Sequence, residues 1–245
     1  MLVKYFALVF ALAIPFWILG AIAEFHPLPG LPLSALMAFC PIAAALILTP
    51  GTERLALLKR TFDYRRIPRR IWYAPILLTM PALMTLTDFA MRRLALPLPP
   101  LRFSPLAPLL LFVVFFVAAA GEEIGWSAYM TDRMQTRWSA AQTGVILGAI
   151  WAVWHLIPFI QGHRTPAWIA WHCLATIAVR VLIVWLYNNT GHSVFAAILF
   201  HAMTNVSYFL FPNYGSNYDA RIGGPFIILA AMIVVALPAG RNLRA

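Results

Sequence analysis

A bundle of about eight membrane-crossing helices is the fold this sequence predicts, and three observations carry that expectation. The 245 residues are 62% hydrophobic and only 11% charged, with a mean hydropathy of +0.80. A soluble domain of this length carries about 25% charged residues. Runs of about 20 apolar residues recur along the chain, each long enough to cross the hydrocarbon core as a helix. Turn signals and basic clusters separate those runs. The expected fold is all-α, a polytopic transmembrane helical bundle that uses residues 1–245 as a single transmembrane domain.

Span 1 is expected over about Tyr5–Ala23, followed by a turn through Glu24-Phe25-His26-Pro27 and Pro29-Gly30. Lys4, the apolar run and Ala21-Ile22-Ala23 imitate a signal peptide, but the run is longer than the usual h-region of 7–15 residues, so an uncleaved span is preferred. Span 2 covers about Pro32–Leu48 and stops at Pro50-Gly51, and a basic loop follows. Span 3, about Ile71–Leu94, carries Pro75 and Pro81, both expected to kink it, with Asp88 and Arg92 placed to form a local ion pair. After a proline-rich connector, Ser104-Pro105 has the form of an N-cap followed by proline, opening span 4 over about Leu106–Met130. Ser139 and Gln142 have capping-box spacing ahead of span 5, about Ala140–Ile160. Thr165-Pro166 opens span 6, about Ala167–Tyr187; spans 7 and 8 cover about Ser193–Phe211 and Ile222–Leu237.

The net charge of +10 does not point to nucleic acid, because its distribution follows the membrane. Seven basic residues lie between Arg54 and Arg70, the signature of a cytoplasmic loop that also contacts anionic lipid. With that loop inside, both termini fall on the cytoplasmic side of the cell membrane, as do Arg133, Arg137, Arg241 and Arg244, while Arg92, Arg93 and Arg102 fall outside. Cys40 and Cys173 lack metal or redox spacing and are expected to be small core hydrophobes.

Ionisable residues inside a membrane usually face a cavity or a partner. Glu122 and Glu123 end an uncharged run in span 4, roughly 10–13 Å from its cytoplasmic end at 1.5 Å per residue. His201 lies at a similar depth in span 7, with Asn205 one turn further on the same face. His155 in span 5 and Arg180 in span 6 fall in the same slab. A lone intramembrane His or Asn is more often interhelical glue, and an arginine can snorkel. Together, however, these residues hold the parts of a hydrolytic site: a carboxylate to take a proton from water, imidazole to share that task or bind metal, and His and Asn donors for an oxyanion.

The motifs Glu122-Glu123-Ile124-Gly125-Trp126-Ser127, Trp151-Ala152-Val153-Trp154-His155 and His201-Ala202-Met203-Thr204-Asn205 stand in this order over residues 106–211. In order and spacing they resemble the CPBP (CAAX protease and bacteriocin-processing, or Abi) intramembrane proteases, whose pattern is Glu-Glu-x-x-x-Arg, Phe-x-x-x-His and His-x-x-x-Asn. The resemblance implies a catalytic core at 106–211 and peptide-bond hydrolysis, with a peptide or membrane-protein tail as substrate. Glu122 would be the base, Glu123, His155, His201 and Asn205 would complete the site, and Trp126 and Arg180 are candidate supporting residues. Trp151 replaces the motif phenylalanine and Ser127 replaces the motif arginine, whose place Arg180 is expected to fill. A zinc held by Glu122, His155 and His201 is the alternative to a glutamate-type mechanism, in the form of a His₂Glu site. The rival from another class is a catalytically impaired relative acting as a bacteriocin-immunity or partner-binding membrane protein.

Overall fold

The computed structural model describes residues 1–23, 31–101 and 104–237. Glu24, the Pro29-Gly30 turn, Arg102, Arg241 and Arg244 lie outside them. Every expected span is helical, and the protein is a polytopic helical bundle. In chain order the helices are α1 (Leu2–Ile22), α2 (Leu33–Leu48, its first turns 3₁₀), α3 (Gly51–Lys59), α4 (Tyr73–Arg93) and α5 (Ala107–Gln135). There follow α6 (Ala140–Trp154), α7 (Leu156–Gln161), α8 (Pro166–Asn189), α9 (Val194–Leu210) and α10 (Ala220–Ala236). The segments Leu2–Ile22, Arg70–Arg93, Ala107–Gln135 and Pro166–Asn189 are long and apolar enough to cross a membrane; α2, α6, α9 and α10 are apolar but shorter.

Local chemistry sets most boundaries. The Ser139–Gln142 capping box is formed in both directions at the start of α6. Thr165 accepts from Trp168 N and opens α8, with Pro166 at its first position. Arg92 and Asp88 form the local pair, at 2.7 and 3.0 Å.

Several expectations are corrected. The supposed basic loop carries a helix, α3. The N-cap of α5 is Leu106 rather than Ser104, whose Oγ accepts from Leu106 N in the preceding turn. Pro75 falls in the first turn of α4, where its missing N–H costs no intrahelical bond, so only Pro81 is internal. Span 5 is two helices: Pro158 has no N–H for the carbonyl of Trp154, and α6 ends there.

Helices α6 and α8 pack closely, and Gly144 and Gly148 allow it. A Cβ on Gly148 would stand 2.8 Å from Ile177 Cα, and one on Gly144 would stand 3.0 Å from Val181 Cα. Small residues four apart are the usual means of close helix approach in membranes. The approach sets Trp151, on the next turn of α6, against Arg180 of α8, with the guanidinium 4.2 Å from the indole ring centroid.

At one end of the bundle, the segment after α3 is stitched to the helices that carry the glutamates and His201. Arg60 donates to Ala128 O in α5, Tyr187 Oη in α8 and His192 O before α9, at 3.2, 2.9 and 2.6 Å. Asp63 accepts from Ser193 Oγ, Val194 N and Phe195 N at 2.9, 3.2 and 3.0 Å, satisfying otherwise orphaned donors at the start of α9. Asp63→Ala should therefore destabilise the protein by about 1–2 kcal/mol, as lost helix caps do. Thermal unfolding in detergent reads this directly, and an unmoved midpoint would contradict it.

Candidate active site

Immediately after Glu123 the α5 backbone widens into a π-helical stretch, Ile124–Thr131, in which hydrogen bonds span five residues. Such segments are frequent at functional sites. Every residue in it is buried. Tyr5 of α1 packs edge-on to Trp126 and stacks on Tyr129, with ring centroids 5.7 and 5.1 Å apart. The glutamates thus directly precede a fully buried segment packed against α1.

The two carboxylates have different surroundings. Glu123 is fully buried and saturated. Arg180 forks onto it from α8, Nη1 to Oε2 at 2.7 Å and Nη2 to Oε1 at 3.0 Å. Ser127, one turn along α5, donates to Oε2 at 2.5 Å, and His201 Nδ1 meets Oε1 at 2.8 Å. Glu122 is 5% exposed and lines a cavity of about 250 Å³. Its Oε2 accepts from the indole N–H groups of Trp151 at 2.7 Å and Trp126 at 3.3 Å. Its Oε1 makes no hydrogen bond among the described residues; His201 Nε2 lies 3.9 Å away, a gap that a bridging water suits better than a direct bond.

The tautomers follow from the partners. A carbonyl can only accept, so His155 Nδ1, 2.9 Å from Trp151 O, carries the proton and leaves Nε2 as an acceptor. His201 Nδ1 faces a carboxylate and donates to it. His155 and Asn205 line the cavity beside Glu122 and His201. Five sequence-nominated residues therefore border one site: Glu122, His155, His201 and Asn205 on the cavity, and Glu123 directly behind His201. Arg180 and Trp126 hold the two glutamates.

Both imidazoles donate through Nδ1 and keep Nε2 free, while one Glu122 oxygen is taken by two indoles. Among the described residues no three His, Cys, Asp or Glu side chains gather as a ligand set, so the expected trio Glu122, His155 and His201 is not assembled.

The comparisons with known proteins fall on this same region. Residues 104–207 match the family model of the Rce1-like type II CAAX prenyl endopeptidases. That stretch holds all three motifs, from before Glu122 to beyond Asn205. Over that stretch the chain is similar to the CAAX protease family. A curated relative, CAAX prenyl protease 2 of Methanococcus maripaludis, is 25% identical over 129 residues, 49% of this chain. The chain spans about half the length of that relative, 48%.

Against the family pattern, two positions carry more than their sequences disclose. Trp151 looks like a mild aromatic exchange for phenylalanine, yet its N–H supplies the shortest bond to Glu122, and its face receives Arg180. Ser127 looks like a loss of charge, yet its hydroxyl meets the carboxylate that Arg180 neutralises. The i,i+4 spacing of Glu122 with Trp126 and of Glu123 with Ser127 is the signal that places both pairs on common helix faces. Arg164 and His172, at the far end of the cavity, were not foreseen.

Proposed function

We propose that the chain is an intramembrane endopeptidase of the glutamate type. The observation that carries this is the division of labour within the glutamate pair. Glu123 is spent on a buried network, while Glu122 offers a free oxygen to a cavity bordered by His155, His201 and Asn205. A water between Glu122 Oε1 and the imidazole nitrogens gives its proton to Glu122 as its oxygen adds to the scissile carbonyl carbon. Asn205, and His201 when doubly protonated, donate to the oxyanion that forms. The proton on Glu122 then passes to the leaving amine as the C–N bond breaks, and the product acid gives its remaining proton to the amine, leaving a carboxylate and an ammonium. Arg180, Ser127 and His201 hold Glu123, and through His201 they fix the orientation of the reacting face.

The substrate is a peptide or membrane-protein tail. The name of the Methanococcus maripaludis relative makes a prenylated CAAX tail the first one to try. The exposed apolar residues Leu55, Phe62 and Ile71, interleaved with Arg65, Arg66, Arg69 and Arg70, suit contact of residues 54–70 with anionic headgroups. That contact would put this face and both termini on the cytoplasmic side of the cell membrane.

The test compares peptides released from membranes holding wild-type or Glu122→Gln protein, alongside a prenylated CAAX peptide added to each. Products present only with the wild type are expected. A Glu122→Gln protein that cleaves as well would overturn the role of Glu122, and one that loses cleavage yet sustains the full cellular phenotype would favour the partner-binding rival.

A further inference from the structure

The segment from Arg54 to Ile71 faces two ways. On its outer side Leu55, Phe62, Tyr64 and Ile71 are between 48% and 69% exposed. Lys59, Arg65, Arg69 and Arg70 are exposed beside them. None of the ion pairs among the described residues includes any of these four cations. Asp63 is the one carboxylate of the segment, and its oxygens are turned inward to the start of α9. Apolar side chains interleaved with unpaired cations suit the boundary between anionic headgroups and acyl chains. A free phosphate would answer the charges alone. On its inner side the same segment grips the two helices that carry Glu122 and His201. Phe62 stacks on Phe116, with ring centroids 6.1 Å apart, and Arg60 donates to Ala128 O at 3.2 Å. Helix α5 is therefore held six positions before Glu122 and six after it. Tyr64 packs edge-on to Phe195 of α9, six positions before His201. The seat is close: a Cβ on Gly191 would stand 2.6 Å from Arg66 O.

We propose that anionic phospholipid bound along residues 54–71 activates the glutamate site by seating this segment against α5 and α9. This rests on the peptidase reading above and names how that site is regulated. Seven cations meet one carboxylate over residues 54–70, so without counter-charge the segment repels itself and the seat is weakened. Headgroup phosphates neutralise the outer arginines and leave the inner contacts of Arg60 and Asp63 in place. In the unseated state α5 loses the Arg60 bond within the widened stretch that follows Glu123. The start of α9 loses the three bonds that Asp63 accepts. The two helices that must hold Glu122 and His201 in register then loosen together. Lipid binds the seated state better because only there do the outer arginines converge on one face, and that difference in affinity moves the equilibrium.

The test reconstitutes the protein in phosphatidylcholine vesicles with or without phosphatidylglycerol and follows cleavage of a prenylated CAAX peptide. Phosphatidylglycerol should raise wild-type cleavage about fivefold or more, the lower end of typical coupling between sites. The variant Arg65→Gln/Arg69→Gln/Arg70→Gln, altered only at exposed side chains, should cleave equally in both vesicles. Because peptide and vesicles are the same, that comparison separates an effect on the enzyme from one on the substrate. Arg60→Gln keeps the outer arginines and should also lose the response. A full response in either variant overturns the proposal, as does equal cleavage by the wild type in both vesicles. Glycerol phosphate added to phosphatidylcholine vesicles should not replace the lipid; if it does, the site takes a free anion and the membrane reading falls. Hydrogen exchange at the Val194 and Phe195 amides reads the seat without cleavage. Phosphatidylglycerol should slow it in the wild type and not in the triple variant. That result with no cleavage in either vesicle supports the lipid seat while the peptidase reading fails, and unchanged exchange refutes the seat even where cleavage rises.

Discussion

Glu122→Gln should abolish cleavage while leaving the fold intact, and Glu123→Gln should do damage of a different kind. A glutamine at 122 keeps the shape and one carbonyl oxygen for the indole N–H groups of Trp151 and Trp126. What it loses is the basic oxygen facing the cavity. Removing a general base costs about 10²–10⁴-fold in rate, so a loss of that size with an unchanged thermal midpoint is expected. Glu123→Gln removes the partner of a fully buried guanidinium and leaves Arg180 uncompensated. Breaking a buried pair from one side costs about 3–5 kcal/mol, so this variant should lose stability and activity together. The pair is thus separable by two measurements, cleavage and unfolding in the same detergent. If both variants lost only activity, or if Glu122→Gln were the unstable one, the roles assigned to the two carboxylates would be reversed or wrong.

The parts of this site were legible to different degrees, for physical reasons. Glu122, Glu123 and His201 stand out because a titratable group in an apolar run is costly wherever it occurs, so sequence alone marks it. Arg180 is marked in the same way, and counting residues along its span puts it at the depth of the glutamates. The break at His155 was readable in principle from Pro158, yet the apolar run through Trp154-His155-Leu156-Ile157 hides it, since a lipid-facing pattern does not distinguish one helix from two. The widened turn after Glu123 has no such marker in its residues, which pack against Tyr5 and receive a hydrogen bond from Arg60 at Ala128 O. Trp151 shows the same limit. An indole reads as apolar in any pattern, and only the close packing of α6 on α8 reveals that one face meets a cation while its N–H meets a carboxylate. Arg164 and His172 look like interfacial residues in sequence and join the cavity only through the packing of α8 against α9.

If Arg180 stands in for the arginine that the motif pattern puts at residue 127, moving it back should rescue the protein. Residue 127 is one turn from Glu123 on α5, so an arginine there would reach the carboxylate from its own helix. Here Ser127 donates one hydrogen bond to Glu123, and Arg180 forks onto the same carboxylate from α8. Arg180→Ala should therefore cost about 3–5 kcal/mol, the toll of leaving Glu123 buried and unpaired, and cleavage should fall with it. Ser127→Arg alone places two guanidinium groups at one carboxylate and should also be destabilising. The double variant Ser127→Arg/Arg180→Ala restores one cation per buried carboxylate, and it should recover much of both stability and cleavage relative to either single change. Full recovery is not expected, because Trp151 loses the cation over its face, a contact worth about 2 kcal/mol in desolvated sites. A double-mutant cycle in thermal unfolding measures the coupling, which should be strongly favourable. Additive losses would mean that Arg180 serves its helix packing rather than Glu123, and the idea of a transposed arginine would fall.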